Sequence, residues 1–297
     1  MKILLFGKNG QVGWELQRAL STIGEVIALD RHSTNGLCGD LTNIQGIRET
    51  IRKLAPRVIV NAAAYTAVDR AESDEQVATL VNATAVQAMA EEALSLDGLL
   101  VHYSTDYVFD GSGCDAWYET DTVAPVNVYG TTKLAGEYAI LTSGCKHLIF
   151  RTSWVYGARG NNFAKTMLKL AQTRAELRVI ADQVGAPTGA DLIADATSVA
   201  IRHACQRPEV CGIYHLAASG STSWYEYAKL VIDFGRDYGM DLAVQSVTPI
   251  ATSEYPTPAC RPLNSRLNTE SICRIFPIYL PEWQSGVTRM LKEVLDK

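Results

Sequence analysis

Tyr129 and Lys133 stand four residues apart in Tyr129-Gly130-Thr131-Thr132-Lys133. In a helix, that spacing puts phenol and ammonium on one face, a turn apart. A phenol held beside a cation can protonate an alkoxide as a hydride reaches a carbonyl carbon. Free tyrosine titrates near pH 10, so exchange near neutrality requires a lowering of roughly two to three units, about 3–4 kcal/mol. Lys133 is expected to supply part of that shift. Upstream, Ser104-Thr105-Asp106 closes an apolar run, so the Thr105 hydroxyl can reach the same oxygen. Tyr-x-x-x-Lys also arises in ordinary helices, and its meaning comes from the elements that position it.

Short apolar runs at Lys2–Phe6, Val26–Leu29, Val58–Val60, Leu99–Tyr103 and Leu148–Phe150 alternate with helical patterns. Those patterns lie near Val12–Thr22, Ile44–Leu54, Glu75–Leu94 and Val128–Leu141. Strands apolar throughout are buried on both faces, as parallel sheets require. The alternation predicts an α/β fold with a doubly wound parallel sheet of Rossmann type. Beyond Trp154 helices are predicted near Phe163–Thr173, Asp191–Cys205, Trp224–Arg236 and Trp283–Leu295, with a proline-bearing irregular stretch at Pro249–Asn264. We expect a dinucleotide-binding domain over residues 1–154, to which later segments return. A smaller C-terminal substrate-binding domain, mainly 155–297, would cap the carboxyl edge of the sheet, where open α/β folds bind ligands.

Gly7-Lys8-Asn9-Gly10-Gln11-Val12-Gly13 follows the first strand and opens a helix. Glycines allow a tight turn and close backbone approach to a pyrophosphate, whose charge sits on the helix N-terminus. Gly7, Gly10, Gln11, Val12 and Gly13 are therefore candidate contacts for a nicotinamide dinucleotide. Asp30 ends the second strand, where a carboxylate binds adenosine ribose hydroxyls and favours NADH. Arg31 follows and suits the 2′-phosphate of NADPH, so the choice between the two stays open. Asp40 and Leu41 sit where a loop can reach adenine. Asn61-Ala62-Ala63-Ala64 offers small residues against which a flat ring can lie. Each of these, taken singly, also suits a plain turn or a packing contact.

Composition narrows the remaining classes. A net charge of -5 over 297 residues argues against general nucleic-acid binding. No run approaches the roughly 20 apolar residues of a membrane span, and the N-terminus lacks a secretion signal. Seven scattered cysteines without a C-x-x-C pair suit reduced thiols in cytoplasm. Five histidines lack metal-ligand spacing, so no protein-built metal site is assigned.

In combination these motifs resemble the short-chain dehydrogenase/reductase superfamily, in its extended, sugar-nucleotide-modifying branch. Within it, six ordered stretches resemble the dTDP-4-dehydrorhamnose reductase family. They are Ser104–Gly111, Val128–Glu137, Arg151–Tyr156, Asn161–Ala164, Asp182–Thr188 and Arg261–Leu267, and the resemblance spans almost the whole chain. It implies reduction of the C4 ketone of a dTDP-4-dehydro sugar by NADPH or NADH, in rhamnose supply for bacterial surface polysaccharide. It implies that Tyr129 is the general acid, that Lys133 tunes it and binds cofactor, and that Thr105 assists. Ala64, Tyr65, Thr66 and Tyr103 would line the cofactor cleft. Thr105, Asp106 and Trp154 would meet the sugar, and Arg261 and Arg266 its diphosphate. A core position for Trp154 and surface ion pairs for the two arginines are the plainer alternatives. Family members can use Mg2+, for which Glu15, Asp191 and Glu293 are candidates at a subunit contact of a homodimer, without any local ligand motif.

Three competing activities remain in view. Related 4,6-dehydratases carry Glu after Thr-Asp to eliminate water; Tyr107 stands there, which disfavours dehydration. A 4-epimerase also uses a Tyr/Lys pair and is opposed by the stretches around Trp154, Pro187 and Arg261. A non-catalytic nucleotide-binding regulatory subunit would tolerate loss of Thr105, Tyr129 or Lys133, yet all three are present.

Overall fold

The computed structural model describes residues 1–32 and 35–296; Lys297, the last residue of the expected C-terminal domain, lies outside them. Six parallel strands form the central sheet: β1 (Lys2–Phe6), β2 (Glu25–Leu29), β3 (Val58–Asn61), β4 (Leu99–Thr105), β5 (Lys146–Thr152) and β6 (Gly212–His215). Their spatial order is β2-β1-β3-β4-β5-β6. The order reverses between β1 and β3, and the crevice at their carboxyl ends is where such sheets take ligands.

Side-chain alternation along the strands builds two cores. Ile3, Leu5, Val60, Val101 and Phe150 pack on α1 (Gln11–Ser21) and on a later helix, Ala190–Gln206. Leu4, Phe6, Ile59, Leu100 and Ile149 pack on α2 (Ile44–Leu54), α3 (Ala85–Ser95) and α4 (Val128–Ser143). Both sheet faces are thus covered, which explains strands without polar alternation. A third core gathers Tyr156, Leu168, Tyr227, Trp283 and Leu291 from the later helices Phe163–Thr173, Trp224–Asp237 and Trp283–Leu295. No helix among the described residues is long and apolar enough to cross a membrane.

Three features depart from expectation. The helical pattern at 75–94 is interrupted: a short helix, Glu75–Thr79, runs into a π-helical turn, Leu80–Thr84, before α3. An extra residue in a turn redirects side chains, and here Asn82 is turned into the interior. The sixth strand is only four residues long, and it joins the sheet from a segment with no marked strand pattern. The irregular stretch begins as strand, since Ser246–Ile250 pairs in parallel with Glu176–Ile180, with Pro249 included.

α4 is fixed by its ends and by one buried ion pair. Asn127 caps it by accepting from the Gly130 N–H (2.8 Å), and Gly144 ends it with φ +74°. Arg151 on β5 grips Glu137 on α4 through Nε (3.0 Å) and Nη2 (2.7 Å), both side chains under 5% exposed. Removing one partner of such a pair strands a buried charge. Arg151→Leu is expected to cost about 3–5 kcal/mol in denaturant unfolding at neutral pH. The double variant Arg151→Leu/Glu137→Met should recover part of that loss; equal losses would show that the charge pairing is immaterial.

Candidate active site

Two loops meet at the carboxyl ends of β1 and β3. After β1 the chain turns at Gly7 (φ +89°), and Gly10 N–H donates to the Gly7 carbonyl (3.0 Å). A Cβ on Gly13 would fall 2.0 Å from the Gly7 oxygen, so only glycine lets α1 start this close to the turn. The first helical bond runs from Trp14 N–H to Gly10 O (2.9 Å). The amides of Gln11, Val12 and Gly13 therefore precede the hydrogen-bonded ladder, with no side-chain cap and no acidic residue in that turn. This is a backbone anion cradle, and it fits a dinucleotide diphosphate.

At the end of β2 Asp30 accepts from Asn9 Nδ2 (2.8 Å) and the His32 N–H (2.9 Å), with Lys8 at 3.4 Å. Burial opposes ionisation of its carboxyl, but these partners win and hold it below the usual range. Arg31 is 77% exposed and 4.0 Å from Asp40, whose carboxylate caps Thr42. Leu41 is buried. Beyond β3, the backbone of Tyr65 exchanges two hydrogen bonds with the Asn82 side chain (2.9 and 3.1 Å), and its hydroxyl donates to Asp74 (3.0 Å). Ala64 and Thr66 flank it in the same loop.

The chemical residues converge at β4 and the first turns of α4. The Thr105 hydroxyl donates to Asp106 Oδ1 (3.0 Å) and accepts from the Tyr107 N–H (3.2 Å). Tyr129 lies half-buried beside them. Tyr107 packs edge-on to its ring, centroids 5.6 Å apart, so the residue standing in place of the dehydratase glutamate is a packing partner of the phenol. Two glycines set this proximity. A Cβ on Gly130 would meet the Tyr107 carbonyl oxygen at 2.2 Å, and one on Gly136 the Asn82 carbonyl oxygen at 2.2 Å. Asn82 also donates to Thr132 Oγ1 (3.1 Å), tying the π-turn to α4.

Lys133 is bound on the sheet side of the site. It is 1% exposed, and its Nζ lies 3.0 Å from His102 Nε2 and donates to the Tyr103 carbonyl (2.6 Å). Both partners stand on β4, so the amino group is drawn toward the sheet. The Tyr129 phenol is raised, not lowered: burial and then the Asp106 carboxylate push it up to about 12, against a hydrogen bond with Thr105. Burial brings Lys133 down to about 8, opposed by Glu137. Tyr103 offers Lys133 only its carbonyl; its hydroxyl pairs with Thr197 (2.8 Å) on the other side of the sheet.

Several buried polar atoms here lack a protein partner, among them Asp106 Oδ2, Thr152 Oγ1 and Arg261 Nη1. Orphaned buried polar atoms are costly, and each of these would gain from a polar partner. Arg261 holds Asp69 through Nη2 (2.7 Å), and its buried Nη1 has no protein partner. Arg266 turns instead to Asn264 (3.0 Å). Trp154 adopts φ +47°, a strained value for a bulky residue, and stacks on Trp224 with centroids 3.5 Å apart. One face of its ring is thereby used in packing. Glu15, Asp191 and Glu293 line one shallow cleft with Arg289, which pairs with Asp191 at 3.0 Å. Among the described residues no group of three side chains is placed to hold a metal ion.

The residues that sequence reasoning passed over are Asn82, His102, Asn127 and the Glu137–Arg151 pair. Asn127 carries the signal of a helix N-cap; for the others it was a polar residue inside a strand or helix, which requires a buried partner.

A glycine-turn dinucleotide fold carrying Thr105, Tyr129 and Lys133 defines an oxidoreductase of the extended short-chain dehydrogenase/reductase class. Residues 1–295 match the family model described as the RmlD substrate binding domain, and the chain belongs to that family. It is 59% identical over 294 residues to dTDP-4-dehydrorhamnose reductase of Shigella flexneri, covering 99% of this chain and 98% of the relative. A crystal structure of a dTDP-4-dehydrorhamnose reductase from Clostridium acetobutylicum superposes with a TM-score of 0.88 at 35% identity, covering all of both chains. The Bacillus anthracis dTDP-4-dehydrorhamnose reductase in complex with NADP gives 0.87 at 33% identity, over 98% of this chain and 99% of that one.

Asp106 offers a check on this electrostatic picture. Burial raises its carboxyl to about 6, against hydrogen bonds from Ser265 and Thr105. A raised carboxyl stabilises the fold below its unfolded pKa near 4, and that contribution is lost as pH rises through 6. Asp106→Asn should therefore gain stability relative to the parent chain between pH 4 and pH 6, by about 2–3 kcal/mol. Parallel pH–stability curves would contradict the assigned burial.

Proposed function

We propose that the chain reduces the C4 ketone of dTDP-4-dehydro-L-rhamnose to dTDP-L-rhamnose with NADPH or NADH, in dTDP-rhamnose biosynthesis. The observation that carries this reading is the placement of a protonated Tyr129 against Thr105 and Asp106, with Tyr107 packed on its ring. The full-length similarity to reductases of that name supplies the substrate.

In this reading the reduced nicotinamide, when bound, supplies the hydride. Gly7, Gly10, Gln11, Val12 and Gly13 hold the cofactor diphosphate on the start of α1. Asp30 takes the adenosine ribose hydroxyls, while Lys8 and the exposed Arg31 leave room for a 2′-phosphate, so both cofactors are accommodated. The loop at Ala64, Tyr65 and Thr66 borders the nicotinamide half, and Lys133 binds its ribose. Thr105 hydrogen-bonds the ketone oxygen, which Tyr129 protonates as negative charge develops. A phenol raised to about 12 suits this direction, because it is fully protonated at neutrality and can still give its proton to the strongly basic alkoxide. Asp106 and Trp154 contact the sugar, and the free Nη1 of Arg261 meets the diphosphate, with Arg266 on the same loop.

Tyr129→Phe separates proton donation from binding. We expect kcat to fall about 10²–10⁴-fold while NADPH binding, followed by its fluorescence, is unchanged. Turnover at the parent rate would remove Tyr129 from the chemistry. In the same assay, turnover of another 4-keto sugar nucleotide but not this one would replace the substrate and keep the site.

A further inference from the structure

His102 lies at the centre of β4, fully buried, on the face covered by α4. Its Nε2 is 3.0 Å from Lys133 Nζ, and its Nδ1 is 3.2 Å from the Asn61 side-chain amide on β3. Nothing in the mechanism above uses it. A strand whose neighbouring residues are Leu100 and Val101 gains no packing from an imidazole there, so its polar atoms call for another reason. The other ionisable groups on α4, β4 and β5 are Tyr129, Glu137 and Tyr138, then Tyr103, then Lys146, His147 and Arg151. Arg151 is locked to Glu137, and the Tyr103 hydroxyl faces Thr197. Lys133 is thus the cation that His102 meets directly.

We propose that His102 is a positioning residue for the reaction: its neutral imidazole, steadied by Asn61, holds the Lys133 amino group in place through both protonation states of that lysine. Burial, and then the Lys133 charge, keep the ring well below its ordinary pKa, so it is neutral across the working range. A neutral imidazole has one acceptor nitrogen and one N–H. Toward an ammonium, Nε2 accepts and Nδ1 carries the hydrogen, which needs the Asn61 oxygen turned to face it. Toward a neutral amine, Nε2–H donates, and Nδ1 accepts from Asn61 Nδ2 while the Asn61 oxygen takes the Ala63 N–H (3.2 Å). The structure shows the amide with its Nδ2 toward the ring; serving the ammonium requires it to turn, giving up the Ala63 N–H bond. Together with the Tyr103 carbonyl, His102 occupies two positions around Nζ and leaves the third for cofactor. This extends the reading of Lys133 as a cofactor-binding group and rests on it.

Nitrogen-15 NMR of histidine-labelled protein tests the claim without any turnover, with His102 assigned by its absence in His102→Gln. The expected result is a ring neutral from pH 6 to pH 9, with Nε2 unprotonated at pH 6.5 and increasingly protonated as Lys133 titrates near pH 8. An imidazolium signal near neutrality, or Nε2–H already present at pH 6.5, would overturn it. In kinetics, His102→Phe removes an acceptor from the ammonium, so the basic limb of kcat/KM should move to lower pH by roughly one to two units. His102→Gln restores an acceptor and should return the limb to within about half a unit of the parent. Equal limbs in both variants would refute the acceptor role; if the Phe variant does not fold, the NMR result decides. A wrong substrate assignment would leave the tautomer result standing, so the two ideas fail separately.

Discussion

The site depends on how closely α4 can lie against its neighbours. At Gly130 and Gly136 the helix backbone reaches the carbonyls of Tyr107 and Asn82 at distances no side chain would permit. That approach sets the height of the whole helix above the sheet. It brings Tyr129 to the end of β4 and sinks Lys133 between helix and sheet. The Asn127 cap fixes where the helix begins and, through its amide on the Cys260 carbonyl (2.7 Å), also anchors the loop that carries Arg261. The Glu137–Arg151 pair then holds the far side of α4 to β5. One helix, seated once, sets the positions of Tyr129, Lys133 and the loop that carries Arg261.

Burial decides the electrostatics that follow. The phenol is kept protonated by burial and by Asp106, while the more deeply buried lysine is drawn down toward neutrality. Two groups that normally titrate close together are separated by about four units. The supports are backbone carbonyls, an imidazole and amides, none of which adds net charge. Such partners orient a buried cation without neutralising it.

Much of the scaffold was legible in the chain. Ile44–Leu54, Phe163–Thr173 and Trp283–Leu295 form helices over the residues their apolar spacing marks, because amphipathic faces meet a large core. The five leading strands were equally plain, being apolar on both faces. The sixth was not, since four residues flanked by turns carry little pattern. The break at Leu80–Thr84 was hidden for another reason: its apolar spacing is helical, and only the tertiary bonds of Asn82 explain the extra residue. At the site, residue types and order were readable, but orientation was not. Tyr129 and Lys133 were placed on one face by spacing, yet spacing does not reveal that His102 and the Tyr103 carbonyl capture the ammonium. Pairings across 30 or more residues are set by the sheet, and no local pattern encodes them.

The central claim is hydride delivery to C4 of a keto sugar nucleotide, completed by a proton from the protein. Its most direct test supplies dTDP-4-dehydro-L-rhamnose with NADPH deuterated at the nicotinamide C4 and reads the product sugar by NMR. The account predicts one deuterium at sugar C4 for each cofactor oxidised, with none elsewhere. Cofactor left unoxidised while the sugar changes, or deuterium at any other carbon, would contradict it.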